Sequence, residues 1–335
     1  MVSKLKLDNM KKVIIAFAAL AIFAACNKSE VVDVDRQAIS FGGAFIDNAT
    51  KSAVDGSYSG TTDKKLTKFQ VYGTVTVNEK TLTLFNGNEV TGEIGDEEWT
   101  CAGEEHYWAQ NAEYLFYAIA DATSVSPTTG MPTTITYDEK ETPNGDLLFA
   151  VVEDETNEAA TPSKGNPVKF TFTHLLSKAK FTFKKAAYNN ERYTFTVKNI
   201  KFVDAYTEGV YTINDGTWAD QANTDELSFG DLDGTFSAKE GIYVLESAKE
   251  RQFVPATYTS EDPLTISFDV VMMLDGVEIS SITKTHKFPA GEQEPFTFAK
   301  NTAYNFGVEL ADNNKITFTV EALDTWVDAD EIDIP

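Results

Sequence analysis

The 335-residue sequence contains few of the residues from which catalytic and metal sites are usually built. It has two cysteines, Cys26 and Cys101, and three histidines, His106, His174 and His286. It has no HExxH or CxxC motif, no G-x-S-x-G nucleophile elbow and no phosphate-binding glycine loop. Three scattered histidines are more simply explained as structural residues than as ligands. We therefore expect no enzyme, no metal site and no cofactor.

The sequence also lacks an apolar run long enough to cross a membrane. Val13–Ala25 is apolar but shorter than the roughly 20 residues that a transmembrane helix needs. It follows Lys11 and Lys12 and ends in two alanines before Cys26, which is the pattern of a secretory signal. Alanine followed directly by cysteine resembles a bacterial lipobox, in which the thiol is acylated after cleavage. We predict a lipoprotein signal peptide over residues 1–25 and lipidation of Cys26; an ordinary signal peptide with an incidental cysteine is the alternative.

Positive charge is scarce: 28 Lys and Arg stand against 52 Asp and Glu, giving a formal net charge of −24. A surface this acidic repels phosphate, so we exclude nucleic acid as a partner. With Cys26 acylated, Cys101 has no intramolecular partner and no disulfide is expected. The mature chain is expected outside the cytoplasm, held by acyl chains rather than by a membrane-spanning segment.

Long segments with a helical period are missing, whereas short segments with a period of two are frequent. In Leu66–Val77, for example, Phe69, Val71, Val75 and Val77 fall on one face of an extended chain. Such alternation predicts half-buried antiparallel strands. Glu113–Asp121 is apolar on both faces and predicts a central strand buried on both sides. The fold class we predict is all-β, with two Greek-key-like antiparallel β-sandwich domains and few short helices.

The chain length favours two domains, and one stretch is typical of the link between them. Glu153–Pro167 combines acidic residues with proline and glycine and shows no apolar period. We therefore predict an N-terminal β-sandwich domain over residues 26–160 and a C-terminal β-sandwich domain over residues 161–335.

Several segments, taken in order, resemble the fimbrillins, the lipoprotein-precursor subunits of the type V pili of Bacteroidales. They follow the lipobox and span nearly the whole chain. Each motif is short, so the resemblance rests on order and spacing. The segments are Ala38–Ile46 (AISFGGAFI), Leu66–Gly73 (LTKFQVYG), Glu113–Ala118 (EYLFYA), Phe170–Phe183 (FTFTHLLSKAKFTF) and Ile316–Val320 (ITFTV), with Trp326 near the end.

The resemblance implies a pilus subunit with a role in adhesion that assembles by strand donation. In fimbrillins the N-terminal strand of the anchored precursor fills a slot in the first sandwich. A protease cuts behind that strand, and the C-terminal strand of a neighbouring subunit takes its place. Here the removable strand would be Ala38–Ile46, with the inward-facing residues Ile39, Phe41 and Phe45. The donor strand would come from Lys315–Pro335, with the anchors Ile316, Phe318 and Val320.

The processing site departs from the family pattern. The best-known fimbrillins are cut after an arginine that follows the removable strand, whereas here the matching position is Lys51. A trypsin-like protease could cut after Lys51. A cut at Arg36, which precedes the strand, would release the lipid without opening the slot. The partners implied are other pilus subunits, the outer membrane through the acyl chains, and a host or glycan ligand. The implied location is the outer membrane, and the fimbrium after processing.

An aromatic group suggests an alternative function. Trp99, Tyr107 and Trp108 lie close together in the sequence, and an exposed aromatic platform would suit stacking against sugar rings. The alternative to a pilus subunit is therefore a surface glycan-binding lipoprotein of the outer membrane. An exposed platform would favour this alternative, whereas a slot filled by Ala38–Ile46 would favour the pilus subunit.

Overall fold

The computed structural model describes only part of the chain. The described residues are 37–42, 45–46, 66–93, 96, 98–109, 112–154, 167–185, 192–222, 225–232, 234, 236–237, 243–247, 249–291, 293–310 and 316–323. Within these ranges the chain forms β-strands and no helix, which confirms the all-β prediction. It follows that the described part holds no helix of the length and apolarity needed to cross a membrane.

The strands range from two to twelve residues. In chain order they are β1 (Phe45–Ile46), β2 (Lys68–Val77), β3 (Lys80–Thr91), β4 (Thr100–Cys101), β5 (Glu113–Ala120), β6 (Ser124–Ser126), β7 (Thr134–Asp138), β8 (Leu148–Asp154), β9 (Thr171–His174), β10 (Ser177–Lys185), β11 (Tyr193–Phe202), β12 (Glu208–Thr212), β13 (Thr217–Ala222), β14 (Leu227–Gly230), β15 (Phe236–Ser237), β16 (Tyr243–Glu246), β17 (Arg251–Phe253), β18 (Thr257–Tyr258), β19 (Leu264–Leu274), β20 (Val277–Phe288), β21 (Phe296–Thr297), β22 (Thr302–Leu310) and β23 (Ile316–Leu323).

The first sheet has seven strands in the order β1-β9-β8-β5-β2-β3-β4. Its neighbours are antiparallel except β1 and β9, which run parallel. Strand β5 lies between β8 and β2, and the successive residues Ala118, Ile119 and Ala120 are all buried. Both faces of this strand are therefore covered, which confirms the prediction of a central strand. Strand β9 belongs to this sheet although it follows residue 161.

The second half of the chain contributes two sheets that pack face to face as a sandwich. One has the order β16-β10-β22-β23, with β17 also on β10, and the other has the order β14-β11-β19-β20, with β15 also on β11. Phenylalanine rings join them: Phe181 lies 5.5 Å from Phe202, and Phe183 lies 5.2 Å from Phe268. All four rings are fully buried. Full burial of each such side chain stabilises the fold by about 1.5–3 kcal/mol.

A four-stranded sheet in the order β13-β12-β7-β6 joins the two halves of the sequence. Its central pair, β7 and β12, is antiparallel and connects a strand before residue 160 to one after it. A partly buried ion pair between Glu139 and Arg251 crosses the same division. The division into domains 26–160 and 161–335 stays a proposal. Strand β9 and this shared sheet connect the two sides of the proposed boundary.

Two long hairpins are closed by two-residue turns. Asn78 and Glu79 connect β2 to β3, and Asp275 and Gly276 connect β19 to β20. All four residues have positive φ, between 48° and 80°. Two successive positive values match the right-handed twist of the flanking strands, and Asp-Gly is a preferred sequence for such a turn. This local chemistry fixes the start of β20, which forms the edge of its sheet.

Candidate functional site

The residues Ala38–Gly42, here called the N-terminal segment, are inserted between two other parts of the chain. On one side the N–H of Ile39 donates to the carbonyl of His106 over 2.7 Å. The N–H of Trp99 donates to the carbonyl of Phe41, also over 2.7 Å. The bridges on this side are antiparallel. This side of the segment is thus joined to the chain that includes β4.

The other side of the N-terminal segment is bonded to the chain that leads into β9. The N–H of Val168 donates to the carbonyl of Ser40 over 2.8 Å, and the N–H of Gly42 donates to the carbonyl of Val168 over 2.9 Å. The pairing is parallel and continues with β1 alongside β9. The segment therefore has hydrogen-bonded neighbours on both sides, as a central strand does.

The side chain of Phe41 is fully buried in the hydrophobic core that lies against the first sheet, here called the first core. Its ring centroid lies 5.1 Å from that of Phe85 and 6.1 Å from that of Phe116, both edge to face. It stacks on Phe170 at 5.9 Å. Ile39 is buried in the same cluster. The segment thus supplies apolar side chains to the core as well as backbone hydrogen bonds.

Two glycines make room for the rings around the segment. A Cβ on Gly73 would lie 2.7 Å from Phe116 and 2.9 Å from Phe85, the two rings that contact Phe41 edge to face. A Cβ on Gly92 would lie 2.4 Å from the indole of Trp99. Real Cβ contacts are not this short, so larger residues would displace the walls of the site. Glycine inside a strand often marks such a close approach.

The sequence-predicted residues of the removable strand fall partly within the described residues. Ile39 and Phe41 are buried, and Phe45 begins β1, whose backbone pairs with β9. The predicted lipidation site Cys26 and the predicted cleavage sites Arg36 and Lys51 lie outside the described residues. Removal of the strand and cleavage behind it remain predictions.

The predicted donor residues lie on β23, at the edge of its sheet. Strand β23 is antiparallel to β22 of the same chain along its whole length. Ile316 lies opposite Leu310, Phe318 opposite Val308 and Val320 opposite Phe306. These three partners on β22 are buried. In this chain the strand is thus an edge strand of the second sandwich.

The aromatic group that could have formed a glycan platform is not gathered on the surface. Trp99 is only 4% exposed and packs against Phe69 at 5.5 Å. Trp108 is half-buried, with its ring 4.7 Å from Tyr114. Tyr107 alone is well exposed, at 42%. The two tryptophans do not form an exposed platform, because they serve as walls of the core around the N-terminal segment.

Cys101 lies in β4, two residues from Trp99, and its side chain is partly buried. Burial raises the pKa of the thiol above its ordinary value. A raised pKa means little thiolate at neutral pH and hence low reactivity. Among the described residues, no group of three or more His, Cys, Asp and Glu side chains is arranged to hold a metal ion.

Sequence reasoning missed three parts of the site. The hydrogen bonds of His106 and Val168 to the N-terminal segment use backbone atoms, and any residue type could provide these carbonyls. No side-chain signal could have identified them. The role of Gly73 was also missed, although a glycine inside an apolar strand pattern does suggest a close approach.

Comparison with known proteins adds a family and a fold. A model of the fimbrillin-like family matches residues 52–324. A fimbrial protein from Bacteroides vulgatus is 20% identical, with a TM-score of 0.59 over 87% of this chain and 100% of that chain. A proposed cell adhesion protein from Bacteroides ovatus is 17% identical, with a TM-score of 0.51 over 88% of this chain and 99% of that chain. No curated protein matches. At these identities the solved structures show a shared fold.

Proposed function

Because the chain belongs to the fimbrillin-like family, we propose that it is a cell-surface fimbrial subunit, made as a lipid-anchored precursor and assembled by strand exchange. The observation that carries the proposal is the N-terminal segment, which is bonded on both sides and fills the first core with Phe41. The family match begins at residue 52, so this segment and Lys51 precede it. The proposed role is structural and adhesive, with no enzymatic activity.

The first step of the proposal is an acceptor slot. If the N-terminal segment left, the N–H groups of Trp99 and Val168 and the carbonyls of His106 and Val168 would lose their partners. The volume filled by the Phe41 ring would be empty. Unpaired backbone groups and an apolar void each cost free energy, so the open slot would favour an incoming strand. Addition of an extended strand to an open sheet is an established form of protein recognition.

The second step is a donor strand. Strand β23 has a single neighbour, β22, among the described strands, so it can leave without breaking the centre of a sheet. Its sequence alternates apolar and polar residues at Ile316, Phe318 and Val320, as the N-terminal segment does at Ile39 and Phe41. A slot that binds one alternating strand through backbone atoms can bind another in the same register. We therefore propose that β23 of one copy fills the slot of the next.

The third step is cleavage between the N-terminal segment and β2. Lys51 lies between these two parts in the sequence, and a cut after it would separate the segment from the rest of the covalent chain. Dissociation of the segment then becomes a bimolecular equilibrium in which a second strand can compete. A cut at Arg36 would leave the segment attached to β1 and β2 and the slot closed. Cleavage at Lys51 is therefore the step that permits assembly.

Before cleavage, we propose that acyl chains on Cys26 hold the precursor at the outer membrane. Stable anchoring by lipid needs more than one chain, as bacterial lipoproteins have. The partners are then the membrane through these chains, other pilus subunits through the slot and β23, and a host or glycan ligand after assembly. The proposed location is the cell surface, and the fimbrium after processing.

Assembly is tested by limited digestion of the full chain with a trypsin-like protease. We expect a new N-terminus at Ser52, followed by multimers that resist mild denaturation. Lys64 and Lys65 also lie between the segment and β2, so every chain tested carries Lys64→Ala and Lys65→Ala. In that background Lys51→Ala should prevent both, whereas Arg36→Ala, the matched control, should leave both unchanged. Multimers formed by the Lys51→Ala chain would contradict the proposed cleavage step.

Anchoring is tested separately in cells. Cys26→Ala should abolish labelling with a fatty acid and release the protein from the membrane fraction, and Cys101→Ala serves as the control. Acyl labelling that persists in the Cys26→Ala chain would refute the lipid anchor while leaving strand exchange untouched.

A further inference from the structure

Strand β20 forms an exposed edge of the second sandwich. Among the described strands it pairs only with β19, and it is twelve residues long. Three large apolar side chains near its start are exposed: Val277 by 65%, Ile279 by 47% and Ile282 by 41%. A long edge strand with exposed β-branched residues is a template for pairing with another chain.

A bulge in β20 changes which side chains share a face. Met272 of β19 lies opposite Ser280, but the next residue, Met273, lies opposite Glu278. Ile279 is therefore an extra residue with no partner on β19. Directly opposed residues share a face, so Ser280 and Glu278 lie on opposite faces of the sheet. One face of β20 consequently carries an exposed row made up of Glu278, Ser281, Thr283, Thr285 and Lys287.

We propose that β20 pairs edge to edge with β20 of a second copy of this chain, antiparallel, about a twofold axis that passes beside Thr283. With the bulge counted, this register places Thr283 opposite its own counterpart and Ser281 opposite Thr285. It also places Glu278 of each copy opposite Lys287 of the other. Cross-strand pairs of hydroxyls and of opposite charges both stabilise antiparallel sheets.

Neighbouring registers lack this complementarity. An axis moved to Ile282 removes both Glu–Lys pairs, because Glu278 then faces Thr285. An axis moved to Lys284 places two lysines directly opposite each other, which is unfavourable. The register about Thr283 also uses the whole length of the strand. It is therefore the one that the charges of β20 select.

The charge of the strand favours this edge as the meeting point of two copies. The chain has a formal net charge of −24, but Val277–Phe288 contains two lysines and one glutamate. Two acidic molecules approach with least repulsion where their surfaces are not acidic. A twofold contact of this kind closes on itself, so it joins two copies side by side rather than extending a fibre. It does not depend on strand exchange at the N-terminal segment.

A cysteine at the axis tests the register directly. Directly opposed Cα atoms in an antiparallel pair lie about 4.5–5.5 Å apart, within the range that a disulfide requires. Thr283→Cys in a Cys26→Ser, Cys101→Ser background of the full chain should therefore form a cross-linked dimer under mild oxidation. Thr285→Cys, on the same exposed face, is the matched control, because its two copies would lie about 14 Å apart. We expect cross-linking at least tenfold faster at position 283, and equal rates would overturn the proposal.

Charge exchange tests the same contact without a covalent bond. Glu278→Lys or Lys287→Glu alone places like charges opposite each other at two points of the interface, and each should weaken dimerisation of the full chain about tenfold. The variant with both changes restores opposite charges and should recover the original dimer. Loss of the dimer in the double variant, or no loss in either single variant, would overturn the proposed register.

Discussion

Shortening Phe41 to alanine should loosen the N-terminal segment while leaving the surrounding sheets folded. The ring is fully buried and is held by Phe85, Phe116 and Phe170 at centroid distances of 5.1–6.1 Å. Removal of a buried phenylalanine ring usually costs about 3–5 kcal/mol, through lost transfer free energy and the cavity left behind. The segment is short, so this loss falls mainly on the equilibrium between its bound and released states.

Amide hydrogen exchange measures that equilibrium at two positions. The N–H of Trp99 donates to Phe41 and the N–H of Val168 donates to Ser40, so both amides become free when the segment leaves. A loss of about 3–5 kcal/mol corresponds to exchange faster by roughly 100-fold to several thousand-fold. The rise stops where global unfolding becomes the faster route to exchange.

The control amide is that of Ala102, which donates to the carbonyl of Glu89 and makes no bond to the segment. Its exchange should change little in Phe41→Ala. Ser40→Ala, a substitution next to Phe41 that leaves the core ring in place, should leave all three amides near their original rates. If Trp99 and Val168 exchange at unchanged rates in Phe41→Ala, the side chain does not hold the segment and the acceptor-slot argument fails.

Three further predictions concern Gly73, Cys101 and the proposed donor strand β23. Gly73→Ala should lower the free energy of unfolding by about 1–3 kcal/mol in denaturant titrations, since its Cβ would push on Phe85 and Phe116, and Phe85→Leu should restore part of the loss. If the double variant loses as much free energy of unfolding as Gly73→Ala alone, this clash is not the cause. Release of the N-terminal segment should reduce the burial of Cys101, lower its raised pKa and increase its alkylation rate at pH 7. An unchanged rate would mean that the segment does not bury the thiol. Deletion of Ile316–Pro335 should leave the exchange rates of the first sheet unaltered but abolish multimers after cleavage, and multimers that persist would exclude β23 as the donor.

Local alternation was sufficient to predict individual strands. The apolar residues Phe69 and Val71 predicted β2, and the doubly apolar Glu113–Asp121 predicted the central position of β5. These predictions hold because the period of a strand and the burial of its faces are encoded within a few consecutive residues. The inward direction of Ile39 and Phe41 was implied by the resemblance to fimbrillins, and both side chains are buried.

Pairing between distant strands could not be predicted in this way. Strands β10 and β22 run parallel although more than a hundred residues separate them, and β7 pairs with β12 across the proposed domain boundary. Such pairings depend on the packing of the whole chain rather than on any local pattern. The same limit applies to Trp99: the sequence identifies an aromatic side chain but not the segment that covers it.

In the proposed strand exchange, the difference between an edge and a slot would set the direction. In its own chain β23 has hydrogen-bonded contact with β22 alone, whereas the N-terminal segment is bonded on both sides. A strand that moves from an edge position into a slot exchanges one neighbour for two. Each additional backbone hydrogen bond contributes about 0.5–1.5 kcal/mol net. In the proposed precursor, the covalent link to the N-terminal segment would keep the slot filled through its high effective concentration. In this proposal cleavage would remove that advantage, and the balance would then favour the donor strand.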